Sequence, residues 1–373
     1  MPAYFRFPTG CRIMNVVQFE IPGEGRCVGV VDSGRVVDVT SGFPELRYVV
    51  DVFAAARKAG ESFSQYLGEA AAKVSSRAFS QDGLVGTSLE ELLAARPGGS
   101  EPFLHPPLDH ADPHRVLVSG TGLTHTGGMK SRDQMHNEDS DGGGSPVEEP
   151  QTDSARMFAM GLSGGKPAAG QRGAGPEWFY KGNGSVLRGP NDSLLIPDFT
   201  EDGGEEPELA GLYIIGEDGQ PYRLGFALGN EWSDHAVERV NYLYLAPSKL
   251  RTCAIGPELN TDFAFNTLDL RCTATRNGET IYDSGPLLSG EENMCHSLAN
   301  CEDHHFKYAQ HRRPGDVHIH FFGTSKLSSS TRDWKYQPGD EIRIEAPGFG
   351  SPLVNVVAAG DDGSSELVVV RKA

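Results

Sequence analysis

Short strand-like segments dominate the later part of the chain, and they constrain its fold more than any other feature of the sequence. Runs such as "ELAGLYIIG", "YRLGFALG", "DVHIHFFG" and "DEIRIEAPGFG" are separated by glycine, proline and aspartate. The pair Asn277–Gly278 in "TRNGET" favours a type I′ hairpin turn, because both residue types tolerate a positive φ. This density of strands and tight turns predicts a mainly β, mostly antiparallel architecture, closed or rolled, with few helices.

The N-terminal part of the chain combines strands with helices. Residues 16–40 contain short strands, and Ser33–Gly34 supplies a hairpin turn between two of them. Residues 50–72 and 88–95 carry apolar side chains at helical spacing. We therefore expect this part of the chain to have an α+β structure.

A proline-rich passage, "RPGGSEPFLHPPLDHADPH", follows these helices and has the composition of a linker. It places a domain boundary near residue 106. We predict a small α+β N-terminal domain over residues 1–105 and a larger β-rich domain over residues 106–373. Within the larger domain, residues 137–154 are polar, acidic and rich in glycine, which is typical of a loop. A lid over a site and a surface insertion are both compatible with that composition.

The charge balance disfavours two classes of partner. The 373 residues include 33 lysines and arginines against 51 aspartates and glutamates, which gives a formal charge of −18 at pH 7. Such a surface repels nucleic-acid phosphates and anionic membranes. The first 25 residues contain no signal peptide and no apolar run of spanning length, and the six cysteines are therefore expected to be reduced. These observations predict a cytoplasmic protein that acts on a small molecule.

The acidic stretch "EDGGEEPELAG", residues 201–211, runs directly into an apolar strand. Residues two apart in a strand project from the same face, so Glu206 and Glu208 would point the same way. Two carboxylates this close repel each other unless a cation lies between them or one keeps its proton. A hard divalent cation, Mg²⁺ or Mn²⁺, held by oxygen ligands would satisfy the pair, and a solvated acidic turn is the alternative. The other acidic residues of the stretch, Glu205 among them, are expected to be solvated.

A third carboxylate follows in "RLGFALGNEWSDHAVER". The strand is predicted to end at Gly229–Asn230, with Glu231 at its exit and a helix starting near Ser233. Hairpin pairing of the two strands would bring Glu231 beside the first two glutamates. Asp234 is the competing ligand, although its position also suits the first turn of the helix, where a carboxylate interacts favourably with the helix dipole.

Two other side chains could carry acid–base chemistry. Lys249 in "SKLRTCAIGPEL" could clamp a metal-bound anion, or act as an acid or base if a neighbouring cation lowers its pKa. His125 in the glycine-rich segment "GTGLTHTGG" could serve as a general base, because the unperturbed pKa of histidine lies near neutrality. A surface lysine and a surface histidine are the alternatives.

The cysteines and histidines near residue 300 are weaker metal candidates. The segment "NMCHSLANCEDHHF" matches the ligand spacing of no zinc finger or ribbon, and it is predicted to be helical. His318 and His320 share one face of a strand, but the sequence places no obvious further histidine ligand beside them. We rank both groups below the carboxylates.

Taken in order, these motifs resemble the fumarylacetoacetate hydrolase superfamily from about Val116 to about Val356. The resemblance rests on six blocks: "EWFYKGNGSVLRGPNDSLLIP", "EEPELAGLYIIG", "ALGNEWSDHAVER", "SKLRTCAIGPEL", "RRPGDVHIHFFGTSKLS" and "YQPGDEIRIEAPGFGSPLVN". The segments "GTGLTH", "GGKPAAGQ" and "HSLANCEDHHFKYAQHRRPGDVHIHFFGT" are similar to its bacterial sugar-acid branch, associated with arabinose utilisation and near the 2-keto-3-deoxy sugar-acid dehydratases.

The resemblance implies a rolled, mixed β-structure with some α, usually a homodimer, behind a small α+β N-terminal domain. The larger domain would be the catalytic one. The site that the resemblance implies consists of the Mg²⁺ ligands Glu206, Glu208 and Glu231, the catalytic residues His125 and Lys249, and the substrate contacts Lys181 and Thr324.

Two positions in this chain depart from the family pattern. The family's third ligand is usually aspartate rather than Glu231. Its hydrolases carry a glutamate three residues after the histidine, where this chain has Gly128, so an acid such as Asp133 or Glu138 would have to replace it.

The implied protein is a Mg²⁺-dependent enzyme of sugar-acid catabolism that acts on a 2-oxo acid through a metal-stabilised enolate. Dehydration of a pentonate-like 2-keto-3-deoxy sugar acid is preferred, because the metal and lysine blocks resemble that branch. Hydrolysis of a C–C bond in a 2,4-diketo-3-deoxy sugar acid, which yields pyruvate and a hydroxy acid, is the alternative. A non-catalytic sugar-acid binding protein is the second alternative.

Overall fold

The computed structural model of the chain describes residues 14–79, 87–130, 152–200, 202–360 and 367–373. Most of the predicted acidic loop lies outside these ranges, as do Glu201, Asp133 and Glu138. A lid over the site and an acid partner for His125 from this segment therefore stay predictions.

The strands of the described residues form two sheets. The larger contains twelve strands: β1 (Asn15–Ile21), β2 (Gly25–Asp32), β3 (Arg35–Asp38), β4 (Thr87–Ser88), β5 (Phe103–His105), β6 (Val116–Gly122), β7 (Glu177–Asn183), β8 (Leu187–Arg188), β10 (Pro207–Ile215), β11 (Pro221–Asn230), β12 (Cys253–Asn260) and β16 (Val317–Phe321). The smaller contains six: β9 (Ser193–Ile196), β13 (Leu268–Arg276), β14 (Glu279–Asp283), β15 (Leu287–Ser289), β17 (Glu341–Glu345) and β18 (Leu353–Ala359).

Helices are short and lie mostly in the connections. The α-helices are α1 (Val49–Ala59), α2 (Phe63–Phe79), α3 (Leu89–Ala94), α4 (Asp153–Gly164), α5 (His235–Val240), α6 (Leu245–Lys249) and α7 (Leu298–Phe306). The 3-10 helices are Pro113–Arg115, Gly184–Val186, Tyr242–Tyr244, Glu291–Asn293, Ala309–Arg312 and Ser328–Ser330. Within the described ranges, no helix has both the length and the apolar character needed to cross a bilayer.

The prediction of a mainly β structure with some α is confirmed. Along the larger sheet the strand order is β4-β3-β2-β1-β12-β11-β10-β16-β6-β7, and along the smaller it is β14-β13-β17-β18-β9. Most neighbours are antiparallel, while β6 and β16, β8 and β12, and β9 and β18 pair in parallel. In the described residues both sheets are mixed, as predicted, and open, so of the two predicted arrangements, closed or rolled, the closed one is not observed.

The predicted hairpin turns are confirmed by the backbone angles. Asn277 and Gly278 have φ values of 52° and 82° between paired Arg276 and Glu279. Ser33 and Gly34, with 52° and 79°, connect β2 and β3 in the same way. A type I′ turn needs positive φ at both central positions, and it matches the twist of the strands it connects.

The helical segment predicted over residues 50–72 is instead two helices. Gly60 ends α1 in the left-handed region, with a φ of 75°, and its N–H bonds the last carbonyls of that helix. Glycine adopts this conformation without steric cost, so the chain turns before α2 begins. The helix predicted at residues 88–95 is confirmed as α3, whose first turn is capped by the Ser88 hydroxyl.

The main hydrophobic core crosses the predicted domain boundary. It joins Val16 and Val28 of the first strands and Leu67 of α2 to Leu212 of β10 and Ile319 of β16. Strand β1 also pairs with β12, so the sheet is continuous between the two segments. The two-domain division near residue 106 stays a prediction. A second core lies between β10 and β11 and the smaller sheet.

Candidate active site

Three glutamates meet where the β10–β11 hairpin opens. Pro207 pairs with Asn230, and the Glu231 N–H donates to the Glu206 carbonyl at 3.0 Å. Glu206, Glu208 and Glu231 are all buried, and each offers a carboxylate oxygen within 4.8 Å of the others. The hairpin pairing predicted from the sequence therefore brings these three side chains together.

Two buried lysines neutralise part of this cluster. Lys249 Nζ lies 2.5 Å from Glu206 Oε1, 2.5 Å from Glu231 Oε2 and 3.0 Å from Ser233 Oγ. Lys181 Nζ lies 2.5 Å from Glu231 Oε1 and also donates to the Trp232 carbonyl. Three carboxylates thus face two ammonium groups, which leaves one negative charge without a lysine. Lys181 contacts the Glu231 oxygen that Lys249 does not contact. Its role as a substrate contact stays a prediction.

Glu208 is the carboxylate of the cluster whose charged form is least favoured. Burial, together with repulsion from Glu206 and Glu231, raises the pKa of Glu208 well above its usual range. The pKa of Glu206 lies well below its usual range: burial acts to raise it, but Lys249 and His235 together outweigh burial. The pKa of Glu231 is also raised, by burial, but Glu208 is the member of the cluster that takes up a proton most readily when no divalent cation is bound.

The cluster fits a hard divalent cation. Its donors are carboxylate oxygens, which Mg²⁺ and Mn²⁺ prefer, and a dication would supply the positive charge that Lys181 and Lys249 leave missing. Glu208 Oε2 accepts the Gly323 N–H at 2.7 Å, which fixes the orientation of the carboxylate. Among the described residues, these glutamates are the group of acidic, histidine and cysteine side chains that is arranged to hold a metal.

Asp234, the competing ligand, is engaged outside the cluster. Its Oδ1 accepts the Val237 N–H at 3.1 Å and caps α5, while its Oδ2 lies 3.0 Å from Arg251 Nη2. Of the two candidates, the structure brings Glu231 and not Asp234 to the other glutamates.

His235 contacts Glu206 and was not predicted. Its Nε2 lies 3.0 Å from Glu206 Oε1, and because an ionised carboxylate oxygen can only accept, Nε2–H is the donor. Gly204 makes room for the ring, since a Cβ there would lie 2.1 Å from His235 Nδ1. The sequence signal was a histidine at the first position of the helix after the third glutamate. The bridge between Gly204 and Ser233 brings the two segments together, and no local sequence pattern indicated it.

The prediction that Glu205 is solvated is wrong. The side chain is buried and accepts three hydrogen bonds, from Ser328 N at 2.7 Å, Ser328 Oγ at 2.7 Å and Tyr336 Oη at 2.9 Å. Its partners lie more than 120 residues later in the chain, so no local pattern indicated them. Glu205, the residue before Glu206, thereby connects the start of β10 to the segment that follows Thr324.

The buried face of β7 adds another buried carboxylate, Glu177. Strand alternation puts Glu177, Phe179 and Lys181 on this face, and all three are buried. Lys181 contacts Glu231, and Lys249 Nζ lies 4.8 Å from the centre of the Phe179 ring. Glu177 continues this row one step further, toward the turn that carries His125. The alternation in "EWFYK" was the signal that could have identified it.

Glycine on the neighbouring strand makes space for the Glu177 carboxylate. Gly122 pairs with Glu177, and a Cβ on Gly122 would lie 1.8 Å from Glu177 Oε2. The other oxygen, Oε1, accepts the Tyr242 hydroxyl at 3.0 Å. The carboxylate is thus held over a glycine three residues before His125.

His125 and Thr324 lie on facing loops beside the cluster. His125 is 1% exposed, and burial lowers its pKa to about 4. Gly128 and Gly127 pack against the Thr324 and Ser325 carbonyls, where a Cβ would approach to 2.5 and 2.0 Å. Thr324 directly follows Gly323, whose N–H binds Glu208. The predicted contact of Thr324 with a substrate carboxylate stays a prediction.

Three of the histidines ranked below the carboxylates, His305, His318 and His320, form a separate buried group. Trp178 donates to His305 Nδ1 at 3.1 Å, so His305 donates from Nε2 to His318 Nδ1 at 2.9 Å. Hydroxyls of Ser119 and Thr121 lie 2.9 and 2.7 Å from the two ring nitrogens of His320. In the described ranges these rings bond to each other and to hydroxyls and do not form a set of metal ligands.

We expect the buried histidines to make the protein less stable as the pH falls from about 6.5 toward 4. Burial lowers the pKa of His125 to about 4 and that of His318 and His320 to about 3, below the value of about 6.5 in an unfolded chain. In that window the unfolded chain binds more protons than the folded protein. Each histidine therefore lowers the unfolding free energy by up to about 1.4 kcal/mol for each unit by which the pH falls.

Urea unfolding at a series of pH values measures this effect. The variant His320→Gln should show a smaller loss between pH 6.5 and 4, while His114→Gln, at an exposed position, should follow the wild type. Equal pH dependence in His320→Gln and the wild type would contradict the expectation.

Comparison with known proteins identifies the family. Residues 155–358 match the family described as fumarylacetoacetate (FAA) hydrolase, C-terminal. A curated relative, a probable 2-keto-3-deoxyxylonate dehydratase of Haloferax volcanii, is 29% identical over 181 residues. That match spans 47% of this chain and 58% of the relative, which is less than two thirds of the relative's length.

Solved structures share the fold at low sequence identity. The apo form of 2-keto-3-deoxy-D-arabinonate dehydratase gives a TM-score of 0.63 at 17% identity, covering 94% of this chain and 100% of the other. The structure of the same enzyme complexed with magnesium and 2,5-dioxopentanoate gives 0.60 at 16%, covering 93% and 99%. A fumarylacetoacetate hydrolase from the psychrophile Exiguobacterium antarcticum gives 0.53 at 18%, covering 93% and 100%. Because the family match covers more than half of the chain, this protein belongs to the fumarylacetoacetate hydrolase family.

Proposed function

We propose that this protein is a Mg²⁺-dependent hydro-lyase that dehydrates a pentonate-like 2-keto-3-deoxy sugar acid. The observation that carries the proposal is the buried cluster of Glu206, Glu208 and Glu231 with Lys249 against it. A relative named as a probable 2-keto-3-deoxyxylonate dehydratase supports the substrate class. A neighbour of the same fold complexed with magnesium and 2,5-dioxopentanoate supports the cation and the product.

The three glutamates would hold the cation. When bound, Mg²⁺ supplies Lewis-acid polarisation of the carboxylate and C2 carbonyl of a 2-oxo acid, which makes the C3 hydrogen more acidic. Lys181 holds one oxygen of Glu231, and the Gly323 N–H holds one oxygen of Glu208. These contacts orient the carboxylates before any ligand arrives.

Dehydration needs one group to take the C3 proton and one to protonate the departing C4 hydroxyl. The C3–H and C4–O bonds break and water leaves. A proton shift from C5 to C3 then gives a C4–C5 enol, and transfer of the enol hydroxyl proton to C4 gives a 2,5-dioxo acid. We assign Lys249, which contacts the metal ligands, to the C3 proton. It can accept this proton as a neutral amine, once a dication bound to Glu206 and Glu231 replaces its positive charge and lowers its pKa. We assign Glu177, at the end of the same β7 face, to the C4 hydroxyl, because a carboxyl group can deliver the proton that turns the hydroxyl into water.

The Glu177→Gln variant tests this assignment. We expect kcat to fall by about 100-fold or more, because glutamine has the same shape but cannot transfer the proton. Mg²⁺ affinity, measured by calorimetry, should stay within about threefold of the wild type, since the amide leaves the metal ligands in place. The variant Tyr242→Phe, which removes one hydrogen bond to Glu177, should lose much less activity. Wild-type kcat in Glu177→Gln would remove Glu177 from the mechanism.

We also propose a cytoplasmic homodimer. The family resemblance suggests the dimer, and the partly exposed Trp178 and Tyr180 on the edge strand β7 offer an apolar surface for it. The described cysteines are all free thiols, which is consistent with a reducing compartment.

C–C hydrolysis is the second candidate, and His125 favours it. A buried imidazole with a pKa near 4 is neutral at pH 7 and could accept a proton from water. In that reaction water would attack the C4 carbonyl of a 2,4-diketo acid, and pyruvate would leave.

Product analysis with Mg²⁺ separates the two reactions. Dehydration predicts 2,5-dioxopentanoate from 2-keto-3-deoxypentonate and no pyruvate from 2,4-diketo-3-deoxypentonate. Pyruvate from the diketo acid, with no reaction of the first substrate, would overturn the proposal in favour of hydrolysis. If neither acid reacts but both raise the melting temperature, the protein is a binding protein instead.

A further inference from the structure

A chain of hydrogen bonds connects the Glu208 carboxylate to the His125 imidazole through the peptide bond between Phe322 and Gly323. The N–H of this peptide donates to Glu208 Oε2 at 2.7 Å. Its carbonyl accepts the Thr124 hydroxyl at 2.7 Å, and Thr124 Oγ1 lies 2.8 Å from His125 Nδ1. All the participating side chains are buried, so water does not compete for these bonds.

The direction of each bond fixes the tautomer of His125. A carbonyl can only accept, so the single hydroxyl proton of Thr124 goes to Phe322. Thr124 Oγ1 must then accept from His125, which puts a proton on Nδ1. In the neutral ring, Nε2 consequently carries a lone pair and no proton.

The loop geometry makes this chain possible. Gly323 has a φ of 88°, which side chains other than glycine rarely adopt, and a Cβ there would lie 2.2 Å from Thr124 Oγ1. At the other end, His125 Nε2 is buried and has no hydrogen-bond partner among the described residues. A buried acceptor without a partner is costly unless a ligand supplies the donor.

We propose that Thr124 is a positioning residue that holds His125 with Nδ1 protonated, so that Nε2 accepts a hydrogen bond from a hydroxyl group of the substrate. The proposal rests on the proposed function for the identity of that ligand, a hydroxylated 2-oxo acid. Every N–H and O–H in the chain points toward Glu208, so the bonds polarise one another. A cation bound at Glu208 should therefore alter the environment of His125.

Nitrogen NMR of protein labelled with ¹⁵N-histidine tests the tautomer without substrate. Long-range ¹H–¹⁵N correlations distinguish the two tautomers, and the variant His125→Gln identifies the signals of His125. We expect the Nδ1–H pattern in the wild type and in Thr124→Ser, and a mixture or the other tautomer in Thr124→Val. Mg²⁺ should shift the His125 signals more in the wild type than in Thr124→Val.

The matched control is Thr121→Val, because Thr121 is a buried threonine whose hydroxyl bonds a different ring, that of His320. It should alter the His320 signals and leave those of His125 unchanged. With 2-keto-3-deoxypentonate, Thr124→Val should lower kcat/KM by about 10- to 100-fold, and Thr124→Ser should stay within about threefold of the wild type. A loss that reflected only stability would appear in both valine variants.

An Nε2–H pattern for His125 in the wild type would overturn the proposal, and so would an unchanged tautomer and kcat/KM in Thr124→Val. The wild-type spectrum decides the tautomer even where a variant fails to fold. Absence of turnover in every protein would contradict the proposed function, while the NMR patterns would still decide the positioning role.

Discussion

Replacing Glu206 with glutamine is expected to lower Mg²⁺-dependent kcat/KM by about three orders of magnitude, which corresponds to about 4 kcal/mol of transition-state stabilisation. Glutamine keeps the shape of the side chain but removes the charge that a dication needs, and it weakens the contacts with Lys249 and His235. Calorimetric titration with Mg²⁺ and steady-state kinetics at several Mg²⁺ concentrations measure the effect.

The matched control for this substitution is Glu258→Gln. Glu258 is also buried, and burial raises its pKa, but it lies away from the cluster, against Gly350. An amide should be tolerated there, with Mg²⁺ affinity and turnover close to those of the wild type. Unchanged Mg²⁺ affinity in Glu206→Gln would show that this glutamate is not a ligand.

Replacing Lys249 with methionine is expected to lower the unfolding free energy of the metal-free protein by about 3–5 kcal/mol, because removing one partner of a buried ion pair leaves uncompensated charge. Lys249 is 1% exposed and bonds both Glu206 and Glu231. Mg²⁺ should restore much of the lost stability, since it would neutralise the same carboxylates. Turnover should nevertheless fall by at least about 100-fold, because the group assigned to the C3 proton is missing.

Urea unfolding with and without Mg²⁺, together with kcat at saturating Mg²⁺, separates these effects. Lys166→Met is the control, because this exposed lysine donates to the Glu291 carbonyl and contacts no carboxylate of the cluster. It should change neither stability nor turnover by much. If Lys249→Met kept wild-type stability without Mg²⁺, or wild-type turnover with it, the role assigned to Lys249 would be wrong.

Sequence patterns correctly predicted the features that depend on residues close together in the chain, namely the hairpin turns and the pairing of the two strands of one hairpin. Asn277–Gly278 and Ser33–Gly34 form their turns because the backbone angles depend on those two residues alone. Glu206 and Glu231 meet because hairpin pairing is set by sequence order, so the two ends of the hairpin could be matched from the sequence. Residue type alone made Lys249 and His125 candidates, and only the family resemblance added Lys181 and Thr324.

The errors and omissions lie where distant segments meet. The local sequence predicts that Glu205 is a solvated turn residue. In the structure it is buried, because Ser328 and Tyr336, from a distant part of the chain, donate hydrogen bonds to it. His235 gains its meaning from Gly204, whose missing side chain admits the ring. The prediction of one helical segment over residues 50–72 is wrong for a different, local reason. Gly60 adopts the left-handed conformation and ends the first helix.

The arrangement of the cluster accounts for a choice that the sequence left open. Glu231 and Asp234 are three residues apart, and either could have completed a set of oxygen ligands. Asp234 instead caps α5 and pairs with Arg251, whereas Lys181 and Lys249 hold Glu231 toward Glu206. The structure thus brings Glu231, and not Asp234, to the other two glutamates.

The most direct test of this account is anomalous diffraction from crystals grown with Mn²⁺, recorded at the manganese edge. The account predicts one strong peak bounded by carboxylate oxygens of Glu206, Glu208 and Glu231, with Lys249 Nζ displaced from between Glu206 and Glu231. A peak elsewhere, for example among the histidines around His305, or no peak between the three glutamates, would contradict it.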